Sequence, residues 1–209
     1  MRFVILVTFL FALCGHLMPK TVLASPGLSQ ICAKAIHAAE LANKLPRFLL
    51  HAVSLTESGR WNEEARAAIA WPWTVNAGGK GKFFRTKAKA LAEVRRLQAK
   101  GVKNIDVGCM QINLQYHGHV FEKIEEAIDP INNVAYAATL LKSLRLKSGS
   151  WAHAVGRYHN GNWKGRGKDY WGRVRRNWTN EQLRDFRVRR AVRIERNRRT
   201  QLAKNRQQP

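Results

Sequence analysis

The chain has 209 residues, enough for one domain of ordinary size with extensions at its ends. Its formal net charge of +23 at pH 7 indicates an anionic partner: a cell-envelope polymer, lipid head groups or a nucleic acid. The cysteines form no CxxC pair and the histidines show no HExxH spacing, so neither a metal nor another cofactor is predicted.

Residues 1–24 have the three parts of a secretory signal peptide. A basic Arg2 precedes an apolar run that begins at Phe3, and a cleavage site with a small residue ends at Ala24. The alternative, a membrane anchor, is disfavoured because polar residues interrupt the run from His16 onward. The sequence therefore predicts export to the periplasm or cell envelope, which argues against nucleic acid as the partner.

Two helices are predicted after the signal peptide. Residues 25–45 carry apolar side chains at helical spacing, and Pro46 suits the first turn of a second helix. Gly59 is predicted to end the second helix in the left-handed conformation that glycine adopts readily.

Glu57 lies near the end of this second helix, on its apolar face. Leu50, Val53 and Glu57 are at positions i, i+3 and i+7, so the carboxyl group continues a buried stripe. Burial and the negative end of the helix both disfavour the anion, so we predict that its pKa rises from about 4.3 toward about 6. Such a group suits general acid catalysis of glycosidic cleavage. The alternative is a surface carboxylate paired with Arg60.

Short strands and further helices are predicted in the rest of the chain. Residues 73–84 read as two strands around a glycine turn, and Thr86 as the cap of a following helix. Asp129 is predicted to cap a helix that ends at Gly149. Ser150 is predicted to cap a helix that ends at Gly161. Thr179 is predicted to begin a further, arginine-rich helix through a capping box.

Four segments follow one another along the chain: TESGRWN, VGCMQIN, AYAATLL and AVGRYHNG. In content and order they resemble the motifs of the lytic transglycosylase family, which has a goose-lysozyme-like core. They span roughly residues 46–162. The resemblance implies a mainly α, lysozyme-like α+β domain over residues 25–178, with a small β-hairpin insertion. Residues 179–209 would form a basic tail that is helical or partly disordered.

The resemblance implies a peptidoglycan lytic transglycosylase that cleaves the MurNAc–GlcNAc bond and leaves 1,6-anhydro-muramyl ends. Glu57 would be its catalytic acid and base, and Tyr158 matches the family tyrosine that approaches the glutamate. The implied substrate-binding residues are Ser58, Met110, Gln111, Tyr158 and Asn160. Met110 has an alternative place in the core, and His159 stands where the family more often has asparagine.

Two other functions remain open at the level of sequence. A lysozyme-like hydrolase needs a second carboxylate, for which Asp106 is the best candidate, since Glu63 and Glu64 follow in a polar turn. A non-catalytic wall-binding protein would use the fold only as a sugar groove. Trp71 and Trp73 would either stack on sugar rings or fill the core.

The cysteines and the tail give the remaining predictions. Removal of the signal peptide takes away Cys14, and Cys32 and Cys109 are then predicted to form a disulfide. The arginine-rich tail would hold the protein on an anionic wall or membrane surface, or would simply be a solvated helix. Small exported family members that accompany secretion or flagellar machines are closest in size, and a monomer is expected.

Overall fold

The computed structural model describes residues 27–206, so the predicted signal peptide lies outside the described residues. The domain begins with two helices, as predicted: α1 (Leu28–Asn43) and α2 (Leu49–Ser58). The predicted place of Pro46 in the first turn of the second helix is wrong, because Pro46 lies in the loop before α2. Phe48 precedes α2 in a left-handed conformation and supplies no side-chain cap. The buried carboxylate of Glu40 provides the cap, because it accepts hydrogen bonds from the backbone N–H of Phe48 at 3.1 Å and of Leu50 at 2.9 Å.

Gly59 corrects one prediction, since its backbone is extended (φ −65°, ψ 129°) and not left-handed. Helix α2 runs directly into strand β1 (Gly59–Asn62), which pairs with β2 (Ala67–Ala70) in a hairpin that the sequence did not predict. A Cβ atom on Gly59 would lie 2.1 Å from the carbonyl oxygen of Leu55. Glycine is therefore required by close backbone contact and not by a left-handed turn. The acidic pair Glu63 and Glu64 lies exposed in the hairpin turn.

A second, four-stranded antiparallel sheet has the spatial order β4-β3-β5-β6: β3 (Thr74–Ala77), β4 (Lys80–Phe83), β5 (Ile105–Val107) and β6 (Ile112–Asn113). The predicted hairpin is confirmed, with Gly78 and Gly79 both at positive φ as a tight primed turn requires. Helix α3 (Lys87–Ala99) follows, and the Thr86 hydroxyl caps it by accepting a hydrogen bond from the Lys89 N–H at 3.3 Å.

The second half of the chain is helical: α4 (Leu114–His117), a 3-10 turn (Gly118–Val120), α5 (Ile124–Ala127), α6 (Pro130–Ser148), α7 (Trp151–Asn160) and α8 (Arg166–Arg206). The predicted caps are confirmed, because Asp129 accepts a hydrogen bond from the Ile131 N–H and Ser150 accepts one from the His153 N–H, each at 3.1 Å. Both helices end at glycines in the left-handed region, Gly149 and Gly161.

The helix start predicted at Thr179 is wrong, because α8 is one continuous helix of 41 residues that passes through this position. No proline interrupts residues 166–206. The first part of α8 packs against α2 and α7 and buries Tyr170 and Val174. Arg47 contacts Trp178 before the predicted start and Asp185 after it, and these contacts favour an unbroken helix over a local capping box.

Two apolar clusters form the core. One joins α1, α2, α6, α7 and α8, and the other lies between the four-stranded sheet, α3 and α5. Trp71 is buried and its indole N–H donates to the Phe84 carbonyl at 2.6 Å, while Trp73 packs against the second cluster. These placements favour the core alternative for both tryptophans. The fold is the predicted mainly α, lysozyme-like α+β domain.

The predicted disulfide is present and joins α1 to the turn between β5 and β6. Cys32 and Cys109 are both buried, with their Cα atoms 5.9 Å apart. Cys109 precedes Met110 and Gln111, so the bridge ties the first helix to the segment that carries these residues. Among residues 27–206, no helix is long and apolar enough to cross a membrane.

Candidate active site

A cleft of about 880 Å³ lies between the four-stranded sheet and helices α6 and α7. Its volume is in the range of sites that enclose a small ligand or part of a polymer. Glu57, at the end of α2, lines the cleft together with side-chain amides that can hydrogen-bond to sugar hydroxyl and acetamido groups: Asn76, Asn104, Gln111, Asn113 and Asn160. Leu140 and Leu144 of α6 add apolar surface. The cleft therefore combines one buried acid with polar and apolar contacts suited to a sugar chain.

The Glu57 carboxylate accepts a short hydrogen bond from the Tyr170 hydroxyl, 2.6 Å from Oε1. Burial raises the pKa of Glu57 to about 7; the Tyr170 hydrogen bond lowers this pKa, the negative charge of Asp106 raises it, and Arg173 lowers it. The direction agrees with the expectation from its apolar helix face. A carboxyl group with this pKa exists in both forms at neutral pH, so it can donate a proton and take one back.

Tyr170 was missed by sequence reasoning, which assigned the approach to Glu57 to Tyr158. Burial and the nearby charge of Glu57 raise the pKa of Tyr158, so this tyrosine does lie near the glutamate, but its hydroxyl donates to the Met110 carbonyl at 2.8 Å. Tyr170 comes from the first part of α8, where it shares a buried face with Val174 at i+4. A tyrosine on a buried helix face needs a hydrogen-bond partner for its hydroxyl, and this requirement was the one indication in the sequence that Tyr170 contacts a polar group. His159 stacks on the Tyr170 ring with centroids 4.4 Å apart and planes 3° apart.

Two of the predicted substrate-binding residues are buried away from the cleft, and this corrects their predicted contact with sugar. Ser58 and Met110 each have 0% exposure. The Ser58 hydroxyl donates to the Cys109 carbonyl at 2.7 Å, so it joins the end of α2 to the disulfide turn. Met110 fills the core, which was its alternative assignment.

The other predicted residues, Gln111, Tyr158 and Asn160, line the same cleft as Glu57. Gln111 has a left-handed backbone (φ 47°), and its side-chain amide donates to the carbonyls of Gly108 at 3.0 Å and Thr74 at 3.3 Å. Such a conformation is unfavourable for a residue with a side chain and is held here by these contacts.

Asp106 is the second carboxyl group among the described residues that line the cleft. Strand β5 carries it, and its two oxygens accept hydrogen bonds from the side-chain amides of Asn76 at 2.9 Å and Asn113 at 2.7 Å. These two amides fix the orientation of the carboxylate. The structure thus brings Asp106 and Glu57, which are far apart in sequence, to one cleft.

Asn133 of α6 is another residue that sequence reasoning did not single out. Its side chain is fully buried, donates to the carbonyls of Val107 at 2.9 Å and Ala127 at 2.7 Å, and accepts from the Met110 N–H at 2.9 Å. It therefore holds the β5–β6 segment, with Asp106 and Gln111, against the helical half of the domain.

The described geometry agrees with a comparison against protein families. The family model for the transglycosylase SLT domain matches residues 34–176, an interval that contains Glu57, Asp106 and Tyr170. A search of curated proteins and a search of solved structures each gave no match. Because the matched interval covers more than half of the chain, the chain belongs to the transglycosylase SLT domain family, whose members are peptidoglycan lytic transglycosylases that act on the cell wall.

Proposed function

We propose that this protein cleaves the MurNAc–GlcNAc bond of peptidoglycan without water, with Glu57 as the only proton donor and acceptor. The observation that carries the proposal is the position of Glu57 in the cleft, with a pKa raised to about 7 by burial. Gln111, Tyr158 and Asn160 would form the sugar-binding surface beside it.

In the first step, protonated Glu57 gives its proton to the glycosidic oxygen as the bond from that oxygen to muramyl C1 breaks. In the second step, the Glu57 carboxylate takes the proton of the muramyl C6 hydroxyl as O6 forms a bond to C1. The products are a free GlcNAc 4-hydroxyl and a 1,6-anhydro-muramyl end. Glu57 is protonated again, so the cycle closes with no net proton change.

Hydrolysis is the second candidate, and it is favoured by the presence of Asp106 in the same cleft. A hydrolase of this kind uses its second carboxylate as nucleophile or to activate water. In this chain, Asn76 and Asn113 occupy the Asp106 oxygens with hydrogen bonds. Because both oxygens already accept hydrogen bonds, Asp106 is better suited to a fixed structural role than to attack on the sugar carbon.

The test is mass analysis of the fragments released from purified peptidoglycan by the purified protein. We expect fragments that end in anhydro-muramyl groups, each lighter by one water than the reducing-end fragment of the same composition. Reducing-end fragments would overturn the proposal and assign hydrolysis, with Asp106 as the residue to substitute next. Failure to release fragments would favour the non-catalytic wall-binding alternative.

Tyr170→Phe is predicted to move the alkaline limb of the pH profile to higher pH. The Tyr170 hydroxyl stabilises the Glu57 carboxylate and lowers its pKa, so its removal raises the pKa above about 7. A higher pKa keeps the acid protonated at higher pH. The measurement is kcat/KM on a soluble glycan fragment across pH.

Tyr158→Phe is the matched control and should leave the alkaline limb in place, because the Tyr158 hydroxyl donates to the Met110 carbonyl. A limb that stays in place or moves to lower pH in Tyr170→Phe would contradict this assignment.

The proposal includes export and the division of the chain. Residues 1–24 would act as the signal peptide that delivers the protein to the periplasm or cell envelope. Residues 25–178 would form the catalytic domain, which the family match to residues 34–176 supports. Residues 179–209 would be the basic tail, of which residues 179–206 belong to α8.

A further inference from the structure

The last part of α8 is a strongly basic helix that extends beyond the packed part of the domain. All residues from 186 to 206, here named the basic arm, are exposed. The arm contains nine arginine and lysine residues and one acidic residue, Glu195. At 1.5 Å per residue it is about 31 Å long. The family match ends at residue 176, so the fold of the domain does not account for the arm.

The arm leaves the domain from a firmly held point. Arg47 makes two hydrogen bonds to the Asp185 carboxylate, at 2.9 and 3.1 Å. The Trp178 indole N–H donates to the Arg47 carbonyl at 2.8 Å, and the Asn177 amide donates to the Thr56 hydroxyl at 3.0 Å. These contacts fix α8 to α2 and to the loop before α2, immediately before the arm begins. Its direction relative to the cleft is therefore set by the fold.

The basic side chains surround the arm. At about 100° per residue, no gap between neighbouring basic positions exceeds about 80° in projection. Three of the exposed apolar side chains, Val188, Val192 and Leu202, fall within about 80° in projection, but Arg199 and Arg206 project into the same arc, so no continuous apolar stripe forms. The other two, Phe186 and Ile194, lie on other sides of the helix. A helix that lies on a membrane needs such a stripe, and a flat surface meets only one side of a helix. Charge on all sides fits a flexible polyanion that approaches from several directions.

We infer that the basic arm binds the peptide-stem carboxylates of peptidoglycan and holds the protein on its own substrate polymer. The stems carry free carboxylates along a flexible mesh, so their charge and form complement the arm. The nine basic residues act together, since each exposed ion pair by itself adds little. Binding by the arm does not require the reaction proposed for Glu57, and the two ideas can fail separately.

The test measures co-sedimentation with purified peptidoglycan sacculi, in the full chain with Glu57→Gln so that the polymer stays intact. Five arm arginines have no carboxylate within 4.0 Å among the described residues, and the four that precede the last turn of the arm are changed to glutamine: Arg187, Arg190, Arg193 and Arg196. Glutamine has a helix propensity close to that of arginine. The matched control changes the same four residues to lysine, which keeps the charge.

We expect the glutamine variant to bind sacculi about tenfold more weakly at about 0.1 M salt, and the lysine variant to bind like the parent. At about 1 M salt, where the Debye length falls to about 3 Å, the three proteins should bind equally weakly. Sacculi whose carboxylates have been amidated by carbodiimide chemistry should lose the difference between the variants.

Three results would overturn the inference. The first is equal binding by the glutamine and lysine variants at low salt. The second is an undiminished difference on amidated sacculi. The third is arm-dependent binding to phosphatidylglycerol vesicles or duplex DNA at lower protein concentration than to sacculi, which would assign a lipid surface or a nucleic acid as the partner.

Discussion

Replacing Glu57 with glutamine is expected to lower kcat for glycan cleavage by about a thousandfold or more. Glutamine has nearly the same size, and its amide oxygen can still accept the hydrogen bond from Tyr170. It cannot deliver a proton to the glycosidic oxygen, and it cannot accept one from the C6 hydroxyl. The substitution therefore removes both proton transfers and leaves the packing of the cleft in place. The measurement is the initial rate of fragment release from purified peptidoglycan.

The matched control is Glu63→Gln, which makes the same chemical change six positions later. Glu63 is exposed in the turn of the β1–β2 hairpin and does not line the cleft. Its substitution should leave the rate unchanged. A Glu57→Gln protein that keeps more than about a tenth of the activity would remove Glu57 from the centre of the mechanism. Parallel loss in both variants would indicate a general effect of charge and not of position.

Replacing Asn133 with alanine is expected to lower the free energy of unfolding by about 3–5 kcal/mol. The side chain pairs three backbone groups at once: the Val107 and Ala127 carbonyls and the Met110 N–H. Alanine leaves all three groups without this partner in a site where Asn133 itself has 0% exposure. The cost of each unpaired buried group is about 1–3 kcal/mol, so the summed effect is large for one substitution.

Asn132→Ala provides the control on the same helix, because Asn132 is exposed and its side chain points away from the core. Denaturant unfolding should show a marked loss of stability for Asn133→Ala and a change within about 0.5 kcal/mol for Asn132→Ala. Equal stability of the two variants would contradict the assigned hydrogen bonds. Because Asn133 supports the segment with Asp106 and Gln111, we also expect activity to fall at temperatures where the variant is still folded.

Glu57 and Asn133 both depend on the β5–β6 segment. Asn133 holds this segment through Val107 and Met110, and Ser58, the residue after Glu57, donates to the Cys109 carbonyl in the same segment. The disulfide adds a third link, since Cys109 lies in this segment and Cys32 lies in α1. The cleft therefore depends on contacts that connect distant parts of the chain.

The sequence by itself determined the features that depend on near neighbours. Helical spacing placed Glu57 on an apolar face, and the caps at Thr86, Asp129 and Ser150 follow from side chains that bond to the N–H groups two or three residues later. The glycine pair of the β3–β4 turn is equally local. With only two cysteines after the predicted signal peptide, the disulfide had one possible pairing.

Only the tertiary structure decided which side chains meet at the cleft. Tyr170 is 113 residues from Glu57, and spacing along a helix gives no information about a contact at that separation. The choice between Tyr170 and Tyr158 depends on how α7 and α8 pack, as does the burial of Ser58 and Met110. Helix α8 continues through Thr179, where Arg47 contacts both Trp178 and Asp185, and these long-range contacts oppose a capping preference of about 1 kcal/mol. Helical spacing in the sequence therefore identifies Glu57 as the candidate acid, whereas its contact with Tyr170 and its proximity to Asp106 depend on long-range packing.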